Sequence, residues 1–117
     1  MDYKSVLAGN VKSILYAYIL ELPKWLPAFY KKHPDCKETV EKWYHDVSSK
    51  IWLKPGDVTK DFNTSRTIGN NRAIFEINHN DYRIIAEMNY MKGWVFIKFI
   101  GTHKSYDKVN AETISLF

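Results

Sequence analysis

The sequence predicts an α+β fold: two N-terminal helices packed on one face of a mostly antiparallel sheet of about four strands, with a short C-terminal helix. Three observations carry this. Apolar residues in the first half recur at helical spacing, those in the second half alternate at strand spacing, and a chain of 117 residues suits one core rather than two. Residues 1–117 are accordingly one domain, with residues 1–13 standing outside its pattern as an N-terminal extension.

Residues 1–13 are weakly patterned, carry Gly9, and read as a short helix or a loose arm. From Ile14 to Leu20 the chain is aromatic and β-branched, which suits a strand. Pro23 stands where a helix can begin, and Trp25, Leu26, Phe29 and Tyr30 follow at helical spacing. Pro27 falls in the first turn, where its missing N–H is tolerated. His33-Pro34-Asp35 ends this helix, and Asp35 is placed to cap the next. Val40, Trp43, Tyr44, Val47 and Ile51 then share one face of a second helix, as a core stripe does. Residues 54–71 read as loop, broken by Pro55, Gly56, Asn63, Gly69, Asn70 and Asn71, with Val58 and Phe62 anchoring a short helical turn. Arg72–Asn78 and Asp81–Asn89 are strands around a tight turn at His79-Asn80. Trp94–Ile100 is a further strand, entered through Lys92-Gly93, and the tail from His103 carries Tyr106, Val109 and Ile114 in a short helix. Helices on one face leave the other face of the sheet uncovered.

The hairpin has an expected register. If Asn78 and Asp81 pair across the turn, then Phe75 faces Ile84, Ile77 faces Tyr82 and Ala73 faces Ala86, an apolar face for the helices. On the other face Glu76 meets Arg83, Arg72 meets Glu87 and Ile74 meets Ile85, and a following loop of even length brings Lys98 to the same side. That charged face has two readings. One is a pair of cross-strand ion pairs on a solvated surface, worth ~0.2–1 kcal/mol each. The other is a cluster of Arg72, Arg83 and Lys98 aimed at phosphates, with Glu76 or Glu87 as a base.

Composition bounds the function. Hydrophobic residues at 45% and charged residues at 26% match an ordinary globule. Eight Tyr, six Phe and four Trp can fill a small core or offer flat surface to nucleobases. The net charge of +4 fits a polyanionic partner and equally a lysine-coated surface. All three arginines, Arg66, Arg72 and Arg83, lie in one short stretch, so a bidentate phosphate site belongs near it. The single cysteine, Cys36, cannot form an intramolecular disulfide and points to a reducing cytoplasm. No basic group is evidently placed to activate its thiol. His33, His45, His79 and His103 show no metal-ligand spacing, and neither metal nor cofactor is expected. The apolar run Ile14–Leu22 is about half a membrane span, and no membrane partner is expected.

The ordered segments Asn71-Arg72-Ala73-Ile74-Phe75-Glu76-Ile77, Asp81-Tyr82-Arg83-Ile84-Ile85-Ala86-Glu87-Met88-Asn89-Tyr90 and Val95-Phe96-Ile97-Lys98-Phe99-Ile100-Gly101-Thr102-His103-Lys104-Ser105-Tyr106-Asp107 resemble the central and last strands of HigB-type toxins of the RelE/ParE superfamily. Phe29-Tyr30-Lys31-Lys32-His33-Pro34-Asp35, Trp43-Tyr44 and Asn110-Ala111-Glu112-Thr113-Ile114 resemble the family's helices and tail, so the likeness covers roughly residues 20–115. Residues 1–13 depart from it. The resemblance implies a RelE-like fold, cleavage of mRNA in the 30S ribosomal A site, and inhibition by a HigA-like helix-turn-helix antitoxin.

On that footing the chemistry is attack of the RNA's own 2′-hydroxyl on the adjacent phosphorus. It requires a base, donors for the phosphate oxygens, and an acid for the 5′-oxygen. Arg83 and Lys98 would bind the phosphate, His103 would act as acid, and Tyr106 would stack on a base or orient the phosphate. Arg72, Thr102 and Lys104 would contact RNA or phosphate, and Glu76 or Glu87, a lysine, or ribosomal RNA would accept the proton. Without the family likeness, His103 reads as a helix cap and Tyr106 as tail packing. The competing functions are a non-catalytic ParE-like gyrase poison and an RNA-binding module without cleavage.

Overall fold

The computed structural model describes residues 24–115 in full and the backbone of residues 19–21. The expected arm at residues 1–13 and most of the first strand lie outside the described residues; the described part of that strand is β1, Ile19–Glu21. Leu26–Lys32 forms helix α1, with proline in its first turn. The helix stops at His33, whose non-helical backbone feeds Pro34 and a 3-10 turn through Cys36. Helix α2, Lys37–Ser48, buries Val40, Trp43 and Val47. Asp35 does not cap it: its carboxylate accepts instead from the Tyr82 hydroxyl at 2.7 Å, tying this turn to the sheet.

The stretch expected to be loop is more ordered than its prolines and glycines imply. Pro55–Asp61 is helix α3. Asp57 Oδ2 accepts from the backbone N–H of Leu53 and Lys54 at its start, and the Trp52 indole donates to Asp61 at its end. Val58 is the buried anchor. Arg66–Ile68 then forms strand β2, too short to show alternation and paired along its backbone with β3, Arg72–Ile77.

The hairpin of β3 with β4, Tyr82–Asn89, has the expected register throughout, from Arg72 opposite Glu87 to Ile77 opposite Tyr82. The turn sets it. His79 and Asn80 adopt φ of 57° and 74°, and Asp81 N–H bonds Asn78 O at 3.1 Å, a geometry that matches the twist of the flanking strands. Strand β5 runs Trp94–Thr102, two residues further than expected. The sheet order is β1-β5-β4-β3-β2, with β1 parallel to β5 and the other neighbours antiparallel.

One irregularity decides where β5 points its side chains. Ile85 pairs with Phe99 but Ala86 pairs with Ile97, so Lys98 is the extra residue of a β-bulge. Val95 and Ile97 face the helices; after the bulge Ile100 does so while Phe99 faces the other way. Lys98 shares that other side, its ammonium 5.7 Å from the Phe96 ring.

The face away from the helices is not left uncovered. Ile74, Ile85 and Phe99 form a second small core under Ile68, Tyr106, Val109, Ala111 and Ile114. The tail enters it through helix α4, His103–Tyr106, and is clasped by Arg72. Arg72 is only 5% exposed as a residue. It donates Nε to Glu87 at 3.0 Å and Nη1 to the carbonyls of Ala111 and Ile114 at 2.9 and 2.8 Å. No helix among the described residues is long and apolar enough to cross a membrane.

Burial also tunes protonation. Desolvation, aided by the neighbouring Asp35 charge, pushes the Cys36 thiol from 9.0 up to about 11. Desolvation, with Glu41 nearby, pushes Tyr30 up to about 12. Burial and the hydrogen bond to Asp35 carry the Tyr82 phenol above the usual tyrosine range.

Two outcomes follow for stability. Arg72→Ala orphans two tail carbonyls and the Glu87 carboxylate, so urea denaturation should show a loss of about 1–3 kcal/mol. Limited proteolysis should then cut within residues 107–115. Arg72→Lys should not restore the wild-type values, because an ammonium lacks the guanidinium fork. Cys36 and Tyr30 hold protons more tightly folded than unfolded. The stability this confers is fully present below about pH 9 and is lost as pH rises through about 11 for Cys36 and about 12 for Tyr30. Thermal melts should therefore be level to pH 9 and fall above it, with Cys36→Ala flattening the first part of the decline.

Candidate active site

Arg83 stands on β4 opposite Gly101, on the face away from α1–α3. Glu76 is its cross-strand neighbour in the register, but the two side chains form no ion pair. Arg83 Nε donates to Asn80 Oδ1 at 2.9 Å, a side chain presented by the hairpin turn. Its guanidinium lies 4.6 Å from the centre of the Tyr106 ring, within cation–π range. The Tyr106 hydroxyl accepts from Arg66 Nη2 at 3.0 Å. One tyrosine ring therefore joins two arginines that start on different strands, β2 and β4.

The Gly-Thr-His turn aims that ring. Thr102 Oγ1 accepts from Ser105 N–H at 3.1 Å and caps α4, while His103 N–H bonds Asp81 O at 3.0 Å and fixes the helix to the end of β4. Gly101 is required by space. A Cβ there would lie 2.5 Å from Ser105 Oγ and 2.6 Å from the edge of the Phe99 ring, which is itself buried against Tyr106. The His103 imidazole is exposed, with Nδ1 3.7 Å from Asp107 Oδ2 one turn on. Lys104 is also exposed on α4.

Lys98 lies three positions before Gly101, roughly 10 Å along β5, on the same face. The residues singled out from sequence thus divide. Arg83 and Tyr106 are in contact, His103 opens the helix that carries Tyr106, and Lys98 flanks them. Arg72 does not join them: its donors are engaged by Glu87 and the tail, so it is a clasp rather than a phosphate ligand. Glu87 is held in that same ion pair. Thr102 has its hydroxyl committed to the cap. Glu76 is exposed on β3, beyond the short partner β2. Arg66 and Asn80 were not among the expected site residues. The clustering of arginines was the only signal for Arg66, and Asn80 carried none beyond its place in the turn. Among the described residues no group of three His, Cys, Asp or Glu is gathered as a metal-ligand set.

A small mostly antiparallel sheet with helices on one face and a short C-terminal helix is a RelE-like α+β fold. The family model of HigB toxins, described as the RelE-like toxic component of a toxin–antitoxin system, matches residues 36–109, more than half of the chain. The chain belongs to the HigB toxin family, and as the toxic component of such a system it has an antitoxin as its partner. No curated protein sequence matches the chain.

Gly101→Ala should overpack the contact between Phe99 and Ser105 and cost about 1–3 kcal/mol, read as a lower urea midpoint. Changes in near-ultraviolet circular dichroism should report displacement of Phe99 and Tyr106.

Proposed function

We propose that the chain is an mRNA interferase: an endoribonuclease that cuts message in the 30S A site and is restrained by a HigA-like helix-turn-helix antitoxin. The observation that carries this is the Arg66–Tyr106–Arg83 cluster, with Lys98 and His103 beside it, on the face that the helices leave free. Cationic donors of this kind stabilise charge growing on phosphate oxygens, and the membership of the chain in the HigB family supports the same reading.

In this mechanism the 2′-oxygen forms a bond to the adjacent phosphorus as the bond from phosphorus to the 5′-oxygen breaks. Arg83 and Lys98 bind the equatorial oxygens. Tyr106, braced by Arg66, orients the phosphate or stacks on a base. His103 gives its proton to the leaving 5′-oxygen, and Asp107 orients the ring. The 2′ proton passes to Glu76, the carboxylate of the two candidates that is not in an ion pair, or to a group of the ribosome. Positioning by the ribosome supplies much of the rate, since fixing the reacting groups is worth several orders of magnitude.

Brief expression in bacteria, with 5′ ends mapped on translated and untranslated messages, tests this. Cuts should fall only in translated codons and leave 5′-hydroxyl and 2′,3′-cyclic phosphate ends. Intact mRNA together with supercoiling-defective DNA would make the chain a gyrase poison instead. Arg83→Ala and Lys98→Ala should each abolish growth arrest while the protein still folds, as read by far-ultraviolet circular dichroism; full toxicity in both would remove the site. Tyr106→Phe keeps the ring against Arg83 but loses the bond to Arg66, and should retain more cleavage than Tyr106→Ala.

A further inference from the structure

The face that bears Arg83 and Tyr106 continues along β5 beyond Lys98, and there it carries a second feature that the cleavage chemistry does not use. The described part of the tail packs over Ile74, Ile85 and Phe99, and Phe96 and Trp94 lie outside that second core. These two rings lie two positions apart on one side of the strand and meet edge to face, with centroids 6.0 Å apart. Each has a cation beside it: Lys92 Nζ is 4.7 Å from the Trp94 ring centre and Lys98 Nζ is 5.7 Å from that of Phe96. The rings help to line an open groove of about 460 Å³ that runs to Asn89 and the exposed Met91. The one carboxylate lining it among the described residues, Glu87, is paired with Arg72.

We infer that this groove is a stacking subsite for nucleotides of the message that flank the cleaved linkage. The inference rests on the nuclease reading above and extends it to substrate grip. Alternating rings and ammonium groups are what single-stranded RNA requires: the bases stack on the aromatic faces and the phosphates meet the lysines. From Trp94 to Gly101, opposite Arg83, the strip measures roughly 20 Å, so one extended strand of RNA can reach both the groove and the site. An apolar protein partner matches the rings but offers no counter-charge to Lys92 beside Trp94. Lys98, at the bulge, stands between the two regions and serves both.

The test is fluorescence anisotropy at low salt with two labelled single-stranded RNAs, a heptamer and a dinucleotide, both 2′-O-methylated so that they cannot be cut. Trp94→Ala and Phe96→Ala should each weaken the heptamer roughly tenfold and leave the dinucleotide unchanged, because the short probe does not reach the groove. Trp94→Phe and Phe96→Tyr, which keep a ring, should restore wild-type binding. Lys92→Ala should reduce the slope of log affinity against log salt for the heptamer by roughly 0.7, one phosphate contact. Heptamer binding that survives both alanine variants overturns the subsite while leaving the nuclease reading in place. Loss of neutralisation by the antitoxin with heptamer binding unchanged also overturns it and makes the groove an antitoxin surface. Wild-type protein that binds neither RNA overturns the subsite, whereas the nuclease reading, in which the ribosome presents the message, stands or falls on the mapped 5′ ends.

Discussion

Alternation across the β3–β4 hairpin is the constraint on which the rest of the molecule depends. Side chains on a strand point to opposite faces in turn, so one register assigns every residue of both strands to one side or the other. The Asn78–Asp81 turn, with His79 and Asn80 in the left-handed region, sets that register. It sends Ala73, Phe75, Ile77, Ile84 and Ala86 under the helices and Arg72, Arg83 and Glu87 away from them. A slip by one residue would bury Arg83 beneath α2 and put Phe75 in water. The register that makes a core and the register that frees the cationic centre are therefore the same choice.

The tail then divides the second face. By burying Ile74, Ile85 and Phe99 it builds a second core, and it takes Arg72 into that core as a clasp. Arg83 lies at the other end of the hairpin, where the chain turns through Gly101, Thr102 and His103, and its side chain stays accessible beside Tyr106. Two arginines of one strand pair and one face thus have different duties. The bulge at Lys98 contributes as well: by inserting one residue it sends both Lys98 and Phe99 to this side, one as a cation and the other as the floor on which Tyr106 rests.

This arrangement supports the proposed action on a polyanion, in a toxin whose family pairs it with an antitoxin. The helical face is a closed aromatic core of Trp43, Trp52, Phe62 and Phe75, whereas Arg83 and Tyr106 meet on the opposite face. The Arg66–Tyr106–Arg83 contacts join strands β2 and β4 to the tail, so docking of the tail and assembly of the centre are one event.

Much of this was legible from the chain alone, because period and turn chemistry are local. The helical stripe of α2, the hairpin register and the α+β class follow from spacing. The Gly-Thr-His likeness pointed to the family, and the space available at Gly101 gives its physical reason. Short elements were not legible: β2 has three residues and exists only beside β3, and α3 is held by Asp57, Asp61 and the Trp52 indole rather than by propensity. Tertiary structure alone decided which arginine is buried, because Arg72 and Arg83 have the same local pattern and differ only in what the tail, some forty residues downstream of Arg72, lays upon them. It alone brought Arg66 to Tyr106. Sequence determined the faces of the sheet through a two-residue period; long-range burial chose which charges on the outer face meet solvent, and no local pattern encodes that choice.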